Sequence, residues 1–306
     1  MEQYNTLHIN NLNITEYTNP MYLEALVDNS TVKLNKVGGW SGKTFMISKT
    51  NAFDSYYEYD WSEITLNKGE RVYWYSETEG VYSQTKYPQF QMTGRFKVAG
   101  NIQSLMNYST SVSSYCYNYL FYECSALVDA SGLSLPATTL ATACYFYMFG
   151  YCTSLTTAPE LPATTLAYAC YQAMFKDCSS LTSAPELPAT TLAPHCYRHM
   201  FYDCSSLTEA PELPATTLAL HCYSYMFYDC SSLTSAPELP ATTLANYCYY
   251  YMFDGCLSLQ TAPELPATTL ADQCYNNMFQ GCRSLNYIKC MIDEYPQVGW
   301  LYMGAW

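Results

Sequence analysis

The sequence predicts a two-part chain. An N-terminal all-β module of the small antiparallel-sandwich type should precede a solenoid of coils about 26 residues long, each a short strand plus a short helix. Three observations carry that expectation. One unit recurs almost verbatim, with the body C-Y-x-x-M-F-x-x-C-x-S-L-x-x-A-P-E-L-P-A-T-T-L-A-x-x. Its fixed residues fall on one apolar stripe. The first hundred residues instead alternate short β-type runs with turn chemistry.

Residues 1–20 are polar and Asn-rich, without periodicity, and read as an N-terminal arm. Residues 21–105 carry the strand-like runs Tyr22–Val27, Thr31–Leu34, Thr44–Ser48, Tyr56–Trp61, Ile64–Leu66, Arg71–Tyr75 and Phe90–Val98. Asp28-Asn29, Gly38-Gly39, Asn67-Lys68-Gly69 and Thr93-Gly94 punctuate them, as turn residues should. Aromatics around Trp61, Trp74 and Tyr75 are expected to be core rather than a sugar site.

Residues 106–285 form the array. Cys144, Cys170, Cys196, Cys222, Cys248 and Cys274 open successive copies 26 residues apart, and a divergent copy opens at Cys116. Within one copy Cys170, Tyr171, Met174, Phe175 and Cys178 stand at i, i+1, i+4, i+5 and i+8. That spacing predicts two turns of helix facing a core. Ser180-Leu181-Thr182 is the expected strand, and Pro185 and Pro188 should end it because neither can donate a ladder bond. After Leu285 the repeat text vanishes, and residues 286–306 read as a C-terminal cap.

Composition excludes several functions. Residues 1–100 hold 9 basic and 11 acidic groups, a net of −2, whereas the remainder holds 4 and 15, a net of −11. So acidic an array repels phosphate backbones, and no nucleic-acid partner is expected. No stretch is long and apolar enough for membrane insertion, and the start lacks the pattern of a Sec signal peptide. Fourteen of the fifteen cysteines lie in the array as seven pairs spaced C-x7-C rather than as zinc ligands, and Cys290 stands alone just after it. They are expected to be apolar plugs, with disulfides the second reading.

The array text resembles the leucine-rich repeats of BspA-like bacterial surface antigens, whose A-F-x-x-C-x-x-L core is matched by M-F-x-x-C-x-S-L. It is most similar to a subgroup with the text L-P-A-T-T-L-A-x-x-C-Y-x-x-M-F, found in gut Bacteroidetes and their phages. The resemblance implies adhesion or recognition, with no catalytic residue and no cofactor. The function expected is a non-enzymatic, surface-exposed binding protein, a phage fibre or decoration component on a virion or extracellular surface. Its partners would be a host-surface protein or glycan, with the N-terminal module docked on a larger virion assembly. Two alternatives stay open: a structural spacer without ligand, and a bacterial cell-surface adhesin with its leader removed.

The candidate ligand-binding residues are the tyrosines at changeable positions: Tyr147, Tyr151, Tyr168, Tyr202, Tyr225, Tyr228, Tyr247, Tyr250 and Tyr251. Such side chains suit recognition, or else they shield the core. The unchanging Tyr145, Tyr171, Tyr197, Tyr223, Tyr249 and Tyr275 should be structural. Glu160, Glu186, Glu212, Glu238 and Glu264 recur in register and form either a cation-holding carboxylate ladder or, more simply, a solvated acidic stripe. His195, His199 and His221 are spaced to meet on the outer face, although accidental surface histidines account for them as well.

Overall fold

The computed structural model describes residues 19–50, 55–78 and 80–292. Eight strands build the N-terminal module: β1 Tyr22–Ala25, β2 Ser30–Val37, β3 Met46–Ser48, β4 Tyr57–Glu58, β5 Ile64–Leu66, β6 Arg71–Tyr75, β7 Tyr87–Thr93 and β8 Phe96–Asn101. A ninth strand, β9 Leu127–Ser134, comes from the first repeat. The strands form a six-stranded sheet, β4-β3-β6-β1-β8-β9, and a three-stranded sheet, β5-β2-β7. Alternation places Val32, Leu34, Phe90 and Met92 of the small sheet and Leu23, Val72, Trp74 and Val98 of the large one in one core. The expected run Phe90–Val98 is two strands, because Gly94 turns the chain at φ 85° between β7 and β8. Trp74 is wholly buried against Tyr59 and Phe90, at 5.0 and 4.9 Å between ring centres.

The module and the array share a continuous apolar core. Strand β9 pairs in parallel with β8 and thereby ties the first coil to the large sheet. The Phe90 ring stacks on Phe121 at 5.2 Å, starting a column that runs through Phe149, Phe175, Phe201, Phe227 and Phe253 to Phe279. A second buried column joins Tyr117, Tyr145, Tyr171, Tyr197, Tyr223, Tyr249 and Tyr275. The invariant tyrosines are therefore framework.

The coils contain no short helix, contrary to the sequence expectation; a 3-10 turn, Ile102–Met106, stands ahead of them. In place of the helix stands a train of tight turns with a period of four. Ala169, Ala173 and Asp177 have φ of 53°, 55° and 58°, and the equivalent residues of every other coil are left-handed too. Between them the backbone amides alternate. Cys170, Gln172, Met174, Lys176 and Cys178 donate three residues back, to Ala167, Ala169, Tyr171, Ala173 and Phe175. Ala169, Tyr171, Ala173, Phe175 and Asp177 donate to the next coil, to Pro194, Cys196, Arg198, Met200 and Tyr202 at 2.7–3.1 Å. A nine-residue helix is too short to hold itself in water. The sister coil supplies acceptors that a helix would not use, and these offset the roughly 1–2 kcal/mol of each left-handed residue.

The strand expected at Ser180-Leu181-Thr182 shrinks to single bridging residues, such as Ser183 with Glu209 and Glu209 with Ser235, before the prolines intervene. A second bridge line joins Thr139 to Thr165 and Thr191 to Thr217 on the A-T-T-L corner. Residues 286–292 return along the preceding coil, where Cys290 bridges Leu265. The proposed arm (1–20) and cap (286–306) otherwise lie largely outside the described residues.

All fifteen cysteines are free thiols, fourteen of them buried. The second cysteine of each pair donates its S–H to a phenylalanine carbonyl of the preceding stack, as Cys178 does to Phe149 and Cys204 to Phe175, both at 3.1 Å. Burial raises these thiols; Cys170 and Cys222 are pushed up to about 12. Thiolate chemistry is suppressed at neutral pH. A native-state titration with a thiol reagent should therefore show Cys290 reacting first and the other fourteen only on unfolding. Seven disulfides by mass spectrometry would contradict this core.

The left-handed column that ends each turn train holds Asp177, Asp203, Asp229 and then Gly255. A side chain at Gly255 would collide with the Asp229 carboxylate, its Cβ falling 2.0 Å from Oδ1. The acid is displaced by one residue in that coil, to Asp254, which is 7% exposed. Burial, then the Asp229 charge, push Asp254 up to about 6. The folded state thus holds this proton more tightly than the unfolded chain does. Stability conferred by protonation is full near pH 4 and is lost as pH rises through about 6. Asp254→Asn should raise stability at pH 7.5 by on the order of 1–2 kcal/mol and flatten that slope, as read from denaturant midpoints across pH.

Candidate functional site: the outer aromatic face

The turn train decides what the changeable positions do. Fixed Cys, Tyr, Met and Phe side chains point inward and are buried in every coil. The positions between them, several in left-handed geometry, carry the variable side chains. All nine candidate tyrosines lie there; eight are half-buried and Tyr168 is 51% exposed.

The structure gathers seven of these tyrosines with the three histidines into one ring network. Tyr168 meets His195 at 5.2 Å, His195 stacks on His221 at 5.0 Å, and His221 stacks on Tyr247 at 4.6 Å. Tyr247 contacts Tyr250, and Tyr250 contacts Tyr251 at 4.5 Å. Tyr251 stacks on Tyr225 at 5.1 Å, and Tyr225 leads on to Tyr228 and to His199. Tyr202 and Tyr228 are nearly parallel, 4.7 Å apart and 8° between planes.

Tyr147 and Tyr151 form a separate group nearer the module. Tyr147 stacks on Tyr119 at 5.4 Å, Tyr119 stacks on Tyr87 of β7, and Tyr151 meets Tyr122 edge-on. Ala169 and Ala173, both buried, interrupt the aromatic columns between the two groups. Lys176 spans the interruption, with its Nζ 4.3 Å above the Tyr202 ring and 5.9 Å from that of Tyr151.

Stacking along the solenoid consumes ring faces. Lys176 covers the remaining face of Tyr202, and His199 lies 4.8 Å from Tyr225. What the Tyr202–Tyr228 and Tyr225–Tyr251 stacks leave to solvent is chiefly ring edge and hydroxyl, whereas the exposed Tyr168 is tilted against His195. Burial raises the phenols of Tyr225, Tyr228 and Tyr250, and that of Tyr202 to about 12, so these hydroxyls are neutral donors and acceptors at physiological pH.

Of the three histidines that the spacing put on the outer face, His195 and His221 stack on each other, whereas His199 lies against Tyr225 and Tyr202 instead. Burial, and then the Arg198 charge, lower His199 to about 3 and His221 to about 4. His221 Nδ1 is 2.9 Å from Ser224 Oγ. Among the described residues no group of three His, Cys, Asp or Glu is arranged to hold a metal ion. The glutamates Glu160, Glu186, Glu212, Glu238 and Glu264 are all exposed, and Glu264 pairs with Lys289 at 2.6 Å. This fits a solvated stripe. The aspartate column and Arg198 were missed in the sequence. A repeated Asp one residue before the second cysteine, at 177, 203 and 229, was the signal for the former.

No helix of the described residues is long and apolar enough to cross a membrane. Neither a curated protein nor a solved structure matches the chain. The sequence model described as "BspA type Leucine rich repeat region" matches six copies, over residues 95–234 and 194–294. That span takes in the coils, β9 and strand β8, with which β9 pairs. With more than half its length matched, the chain belongs to the BspA-type leucine-rich repeat family.

Proposed function

We propose that the chain is a non-enzymatic adhesion protein whose outer aromatic face binds a partner protein. The observation that carries this is the ten-ring network from Tyr168 to Tyr202, built wholly from positions that change between otherwise near-identical coils. A purely structural face would be free to repeat like the interior. Its residue types, tyrosine above all, give large contact area at small entropic cost. Repeats of this family in general mediate protein binding, which agrees with that reading.

A protein is favoured over a glycan because sugars dock on open ring faces, whereas the facing sides of Tyr202 and Tyr228, and of Tyr225 and Tyr251, are taken up by one another. Edge and hydroxyl contacts suit the polar rim and aromatic anchors of protein interfaces. Placement on a phage virion, with the β module as the docking end, follows from the sequence resemblance. Capsid and portal genes beside this one would support it, and a surface-anchored bacterial context would replace it.

The stacking also favours a second reading, in which the rings only rigidify a spacer. Two variants separate the readings. Replacing Tyr225, Tyr228, Tyr250 and Tyr251 by Phe keeps the stacks and removes the hydroxyls; replacing them by Ser removes both. Recognition predicts that the Ser variant loses cell or particle attachment entirely and that the Phe variant weakens at least tenfold with an unchanged melting temperature. A spacer predicts full attachment by the Phe variant, with the Ser variant altered only in stability.

A further inference from the structure

The array, residues 106–285, holds three basic residues against thirteen acids, and two of them, Lys176 and Arg198, belong to the aromatic face. Arg198 belongs to the coil opened by Cys196, directly after the coil in which Ala173 takes the place of a ring. Its carbonyl accepts from the Ala173 amide at 2.9 Å, which fixes it beside that interruption. The side chain is half-buried, and its Nε is wholly shielded from solvent without a hydrogen-bond acceptor. Among the described residues Arg198 forms no ion pair, whereas Lys176 lies 3.9 Å from Asp177 and Lys289 is paired with Glu264.

A guanidinium is always charged and presents a planar fork of donors. Leaving it half-desolvated and unpaired is costly, and that cost is relieved when an acceptor arrives. The surrounding groups do not supply one. His195, His199 and His221, which share its neighbourhood, are held neutral by burial and by the Arg198 charge itself. The same charge reaches Tyr147 on one side of the interruption and Tyr225 on the other. The carboxylates of the face, Asp177, Asp203 and Asp229, stand in the column next to the second cysteines. The result is one uncompensated cation at the centre of a neutral aromatic surface, rimmed by negative charge.

We propose that Arg198 is the anchor of the binding face and receives an acidic side chain, Asp or Glu, of the partner protein. The inference rests on the recognition reading above and deepens it by naming the partner's chemistry. The carboxylate pairs in bidentate fashion with the guanidinium while neighbouring apolar residues pack on the Tyr225 and Tyr228 edges. The acidic rim disfavours partners with scattered negative charge, so a lone acid in an apolar setting is selected over a polyacidic tract.

The test uses the full chain and a library of random twelve-residue peptides displayed on phage, with hyaluronate oligosaccharides as a carboxylate-bearing saccharide control. Enriched peptides should share a single Asp or Glu flanked by apolar residues. Resynthesised and measured by fluorescence anisotropy, they should bind Arg198→Gln at least tenfold more weakly and Arg198→Lys with intermediate affinity. Changing the peptide acid to its amide should cost the same factor in the wild type and nothing further in Arg198→Gln, a coupling that a fold defect would not produce. Matching melting curves check the variants. Peptides without an acid, acidic peptides indifferent to Arg198→Gln, or hyaluronate binding in place of peptide binding overturn the proposal. Peptides that lose affinity with Tyr225→Ser and Tyr228→Ser but not with Arg198→Gln sink the Arg198 role alone. Indifference to both sets sinks the recognition reading with it.

Discussion

The hydrogen bond from one coil to the next, such as Tyr171 N–H to the Cys196 carbonyl at 3.1 Å, governs the rest of this structure. It removes every second amide of the turn train from the chain's own economy. The remaining amides close four-residue turns, and that combination requires a left-handed residue every fourth position. No coil can satisfy its backbone alone, so each exists only against its neighbours, as in other solenoids. The β module ends this dependence on one side. Phe90 N–H bonds to the Leu120 carbonyl at 2.8 Å, and Cys124 Sγ donates to the Phe90 carbonyl, so β7 acts as the coil before the first.

The same constraint produces the outer aromatic face. A period of four with a left-handed residue in it sends alternate pairs of side chains inward and outward, and equivalent outward positions of successive coils lie one above the other. Side chains there must stack on their copies, which is why Tyr202 lies flat on Tyr228 and Tyr225 on Tyr251. Rigid, pre-ordered rings lose little freedom when a partner arrives. The proposed recognition and the solenoid stacking then draw on the same columns, and the sequence is free to vary them without disturbing the interior. Ala173 and Arg198 show what such variation achieves, placing a charge where a ring is missing.

Much of this was legible in the residues. Cys, Met, Phe and Leu recurring in identical text marked the interior, and the changeable slots between them marked the outside. The turn at Thr93-Gly94 was visible, although the flanking run Phe90–Val98 concealed two strands. The helix was the error. Cys170, Met174 and Cys178 repeat with a spacing of four, whereas an α-helix would drift by about 80° over those eight residues. So short a stripe fits either geometry, and non-glycine residues such as Tyr225 or His199 gave no hint of left-handed backbone. Asp at 177, 203 and 229 did, since short acids tolerate that conformation.

By itself, then, the sequence determined which side chains are interior, how far apart equivalent residues lie along the chain, and that the units must pile up. It could do so because burial follows side-chain chemistry, which identical text reports directly. The tertiary structure decided the backbone path of each coil and the meeting of Tyr168 with His195, of Tyr202 with Tyr228, and of Arg198 with the interruption at Ala173. Those depend on acceptors and neighbours that a single coil lacks. A local pattern cannot encode a hydrogen bond whose partner is supplied only when the next coil arrives.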